Sequence, residues 1–112
     1  MIRIREEQLR VLEASVHEQF VQRVLAHLRR VLPEGDDEGW LPLVREGIAR
    51  ARGYGLTSAR TITSYIDLFV VLGDSFDRDP ALPFASILRD EALAPEQKIE
   101  RCLAAARRVD DV

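Results

Sequence analysis

The longest uninterrupted segment of the chain, residues 5–32, contains neither glycine nor proline. Within it, apolar side chains recur at steps of three and four, at Leu9, Leu12, Val16, Phe20, Val24, Leu28 and Val31. Such steps place side chains on one face of an α-helix, which would run for roughly 40 Å at about 1.5 Å per residue.

Glycine and proline divide the remainder into shorter segments. These segments predict further helices at about 41–54, 59–72, 81–89 and 96–108. Gly55 suits the left-handed residue that closes a helix, and Thr57 or Ser58 suits the N-cap of the next one. Asp79 and Pro80 are typical of an N-cap and a first-turn proline.

The predicted third helix is apolar on nearly every side in its second half, Leu68–Leu72. A helix of this kind is buried by its neighbours. The pattern therefore predicts an all-α fold. We expect a single domain, residues 1–112, built as a bundle of about five helices with a long first helix and an apolar, central third helix.

Charge and cysteine content narrow the class of protein. The 112 residues carry a net charge of −3, whereas a nucleic-acid-binding domain usually has a basic excess. Cys102 is the single cysteine, so an internal disulfide is impossible, and we expect a buried thiol in a reducing compartment. The chain contains no apolar stretch that fits a signal peptide or a membrane span. These features favour a cytoplasmic location, with neither nucleic-acid binding nor membrane insertion.

Candidate catalytic and metal-binding residues fail on spacing. His17 and His27 are ten residues apart on the first helix, roughly 15 Å along its axis, and cannot share a metal. Asp74, Asp77 and Asp79 lack the spacing of a calcium-binding loop. We expect Asp79 to cap a helix, and Asp74 and Asp77 to hydrogen-bond the backbone of the turn. The sequence therefore predicts no enzyme activity, no cofactor and no metal site.

Several short motifs resemble those of a known family. They are Phe20-Val-Gln-Arg23 followed by His27-Leu28 and Pro33, then Ile48-Ala-Arg-Ala-Arg-Gly-Tyr54-Gly55-Leu-Thr57, and Tyr65-Ile-Asp67-Leu-Phe-Val-Val-Leu-Gly73 followed by Phe76-Asp77-x-Asp79-Pro80. Over residues 5–105 the chain resembles small helical accessory proteins encoded beside the VgrG and PAAR spike genes of type VI secretion systems, the co-TecT-like co-adaptors. Thr61 and Phe84 depart from that pattern, where an acid and a tryptophan are more usual. The resemblance implies a non-catalytic accessory whose partner is an effector, its adaptor or a spike component.

The motif residues suit a structural purpose, so a binding surface is expected elsewhere. A second apolar line, Val11, Val21, Leu25 and Leu32, lies on a flank of the first helix. If the other helices leave it uncovered, it is a protein-binding surface; alternatively, they wrap the first helix completely. Asp67, inside an apolar run, must face water, pair with an arginine, or contact a partner, because a buried unpaired carboxylate is costly. Arg60 lies upstream on the same helix, and Arg45 or Arg50 could reach Asp67 from the second helix.

Two functions remain open at this point. The first is a co-adaptor or chaperone for secretion, which could also form a homodimer. The second is an immunity protein that masks a basic toxin site through the acidic connection of Glu34, Asp36, Asp37 and Glu38.

Overall fold

A computed structural model describes residues 6–110 of the chain. Over these residues it contains five helices and no strand. They are α1 Glu6–Val31, α2 Asp37–Gly53, α3 Ala59–Leu72, α4 Phe84–Leu88 and α5 Pro95–Asp110. The predicted all-α class is confirmed, with a long first helix and an apolar third helix. None of the helices in this range combines the length and apolar character needed to cross a membrane.

The helix boundaries follow the predictions to different degrees. The third helix spans 59–72 as predicted, and the first agrees within a residue over the described part, since residue 5 lies outside it. α2 begins four residues before the predicted start at 41, because Asp36 Oδ1 accepts a hydrogen bond from Gly39 N at 2.8 Å and so caps an additional turn. α4 begins at Phe84 rather than 81, because Asp79 accepts from Ala81 N in a local turn instead of capping a helix.

The chain divides into two compact units, one ending at Arg45 and the other starting at Glu46. The first unit contains α1 and the beginning of α2. Two ion pairs join these segments: Arg29 Nε lies 2.7 Å from Asp37 Oδ1, and Arg45 lies 3.4 Å from Glu18. The buried apolar residues of this unit are Val21, Val24, Leu25, Leu28 and Val44.

In the second unit, α5 packs against both α3 and α4. Its interior contains a cluster of aromatic rings whose neighbouring centroids lie 5.4–6.5 Å apart. The rings are those of Tyr54, Tyr65, Phe69, Phe76 and Phe84. Offset and edge-on contacts of this kind add to the stabilisation from burial alone. The apolar character of α3 therefore has its explanation in this unit, where six of its residues are buried.

The turn between α2 and α3 contains the predicted glycine C-cap and the predicted N-cap of the next helix. Gly55 has a φ of 85°, and Leu56 N donates to Ala51 O at 3.0 Å, which together form a Schellman C-cap. Ser58 Oγ accepts from Thr61 N at 3.1 Å and caps α3. Lys98 Nζ, from α5, donates to Tyr54 O at 2.8 Å and places a cation at the C-terminal end of α2, where the helix dipole favours it.

Candidate functional site

The first half of α1 is exposed along its whole circumference. Every residue from 6 to 16 is exposed. Three large aliphatic side chains of this segment share one face: Leu9 is 43%, Leu12 51% and Val16 57% exposed. At about 100° per residue, they lie within about 60° of one another around the helix axis. We call this set the α1 ridge.

The ridge lies on a different side of α1 from the buried residues. Val21, Val24, Leu25 and Leu28 centre about 135° away from it, at about 100° per residue. Residues four positions apart on a helix are offset by about 40° around its axis. The apolar stripe from Leu9 to Leu28 therefore winds by about 100° around the helix. The single apolar face predicted from the sequence is therefore two surfaces, of which only the C-terminal one is covered.

The predicted binding flank does not form one exposed line. Val21 and Leu25 are 0% and 2% exposed, and belong to the interior. Leu32 is half-buried, and Val11, at 71% exposed, lies on another side of the helix from the ridge. These four residues therefore do not form a common exposed surface.

Asp67, the acid predicted to face water, an arginine or a partner, is half-buried on α3. Arg50, one of the arginines considered for it, lies 3.0 Å from Glu46 and 3.5 Å from Asp77. Arg45, the other, lies against Glu18. In the second unit, Arg50 and two tyrosines instead cluster around Asp77.

Asp77 is completely buried, which the sequence analysis did not predict. Its Oδ2 accepts hydrogen bonds from Tyr65 Oη at 2.7 Å and from Tyr54 Oη at 2.8 Å. Its Oδ1 has no hydrogen bond among the described residues, and faces Arg50 Nη1 at 3.5 Å. The carboxyl group thus joins the end of α2, the middle of α3 and the loop after α3, whereas we had expected it to bond only the turn backbone.

Arg50 completes this cluster. Its Nη1 donates to Asp74 O at 2.5 Å, and its guanidinium lies 4.9 Å from the centre of the Phe69 ring. Burial, followed by the hydrogen bond to Asp77, raises the pKa of Tyr54, and the same two causes raise the pKa of Tyr65 above its ordinary value of 10.0. The tyrosines are therefore held neutral as donors. Neither the Asp77 carboxyl group nor the Tyr65 ring is reached by solvent, so the cluster is suited to holding three segments together.

Three further features bear on possible chemistry. Cys102 is buried as expected, and burial raises the pKa of its thiol to about 11. Within residues 6–110, no group of three or more His, Cys, Asp or Glu side chains is placed to hold a metal ion. A shallow, open groove of about 550 Å³ lies on α1 and is lined by Ser15, Glu18, Gln19, Gln22, Arg23 and Ala26. It is not an enclosed site.

Sequence reasoning located the caps at Gly55 and Ser58 but missed the residues that act at long range. Tyr54 and Tyr65 reach Asp77 from 23 and 12 positions away, and Lys98 reaches Tyr54 from 44 positions away. The sequence contains one indication of the role of Lys98. It is the only lysine in the chain, and it lies among residues that the α5 pattern places inward. No family model, no curated protein and no solved structure matches this chain.

Proposed function

We propose that this chain is a non-catalytic accessory that binds another protein through the α1 ridge. The observation that carries the proposal is the exposure of Leu9, Leu12 and Val16 on one face of a helix segment, residues 6–16, in which every residue is exposed. Scattered exposed apolar residues are common on protein surfaces, whereas a contiguous row at steps of three and four is typical of a helix-binding surface.

The ridge offers enough apolar area for a useful contribution to binding. Full burial of a Leu or Val side chain stabilises by about 1.5–3 kcal/mol. Because each ridge residue is already about half covered, a partner would add about 1 kcal/mol at each of the three positions. The sum corresponds to roughly a hundredfold in the dissociation constant.

The finer role is a co-adaptor or chaperone in type VI secretion, acting in the cytoplasm on an effector, its adaptor or a spike component. This role rests on the resemblance of the motifs around Phe20, Gly55 and Phe76. The described structure uses many of those residues for the fold, since Tyr65, Phe76 and Asp77 are buried. The ridge lies outside the motifs, so partner choice is free to differ among proteins that share the scaffold.

The alternative of an immunity protein depends on the acidic connection between α1 and α2. Two of its four carboxylates act within the chain: Asp36 caps α2, and Asp37 binds Arg29, which lowers the pKa of Asp37. Fewer carboxylates are therefore available to mask a toxin than the four that the sequence suggests. We therefore favour the ridge as the binding surface.

The test is co-expression of the full chain with the product of each adjacent open reading frame, followed by size-exclusion chromatography. We expect a stable complex with at least one product, and loss of that complex in Leu12→Asp. Leu12 is exposed, so Leu12→Asp should retain the helical circular dichroism of the wild type.

The matched control is Val71→Asp on α3, because Val71 is 74% exposed and far along the chain from the ridge. We expect Val71→Asp to retain the complex. The proposal is wrong if no neighbouring product binds, or if the complex survives Leu12→Asp as well as it survives Val71→Asp.

A further inference from the structure

We draw no further inference here: the strongest candidate, the exposed apolar face on the first half of α1 formed by Leu9, Leu12 and Val16, belongs to the site already described, and nothing in residues 6–110 shows what covers it.

Discussion

Replacing Asp77 by alanine should destabilise the fold more than any other single change to an acid of this chain. The substitution removes the acceptor of the buried Tyr65 hydroxyl, and leaving such a donor unsatisfied costs about 1–3 kcal/mol. The Tyr54 hydroxyl is less buried and can turn to water, so its loss costs about 1 kcal/mol. Arg50 loses a buried ion-pair partner but keeps Glu46 and Asp74 O. A combined loss of about 3–5 kcal/mol is expected for breaking such a buried pair.

The assay is urea unfolding at neutral pH, followed by far-UV circular dichroism. With a slope of about 1.5 kcal/mol per molar urea, the midpoint should fall by about 2–3 M at unchanged slope. Since a domain of this size is stabilised by about 5–15 kcal/mol, the variant should be weakly folded at best.

The matched control is Asp74→Ala, three residues earlier in the same loop. The Asp74 residue is exposed, and its contact with Arg50 is made by the backbone carbonyl. We expect a change within about 0.5 kcal/mol. If Asp77→Ala is as mild as Asp74→Ala, the buried carboxyl group does not hold the second unit together, and the reasoning fails.

Four further predictions follow from the same structure. The raised pKa values of Tyr54 and Tyr65 contribute stability that is fully present below the ordinary tyrosine pKa of 10.0 and is lost as the pH rises above it. Tyrosinate absorbance should therefore appear together with alkaline unfolding. Tyrosine titration without loss of helix would contradict this. Cys102, with a buried thiol of pKa about 11, should react with a thiol reagent only as fast as the chain unfolds; rapid labelling of the folded chain would show that the thiol is accessible. Lys98→Met should cost about 1.5–3 kcal/mol in urea unfolding, because it removes a charged hydrogen bond to the end of α2; a neutral effect would mean that water replaces it. Leu25→Asp should unfold the chain rather than test an interface, because Leu25 is 2% exposed, and a folded variant by circular dichroism would contradict its placement.

The features that could be predicted from sequence are those that depend on neighbours along the chain. Ser58 caps α3 through the residue three positions later, and Gly55 closes α2 because only a left-handed residue allows the hydrogen bonds of the C-cap. Both signals involve a few consecutive residues and no tertiary contact. They placed α3 at its observed bounds.

The features that could not be predicted depend on which side of an element is covered. Leu12 and Leu25 are equally apolar and occupy the same helix, yet one is exposed and the other buried. Hydrophobic spacing identifies the two apolar lines of α1 but contains no information about which half of the helix its neighbours cover. Asp77 is a similar case, because a turn of the type Ser-Phe-Asp-Arg-Asp ordinarily faces water, and only the arrival of two tyrosine hydroxyls makes its burial tolerable.

The exposed segment of α1 makes the central claim directly measurable by amide hydrogen exchange. In the free chain, a helix segment whose residues are all exposed is marginally stable, so amides 6–16 should exchange rapidly, while those around Leu25 and Leu28 exchange slowly. With the purified partner bound, we expect amides 6–16 to become protected. Protection confined to another part of the chain, with exchange at 6–16 unchanged, would contradict the assignment of the ridge as the binding surface.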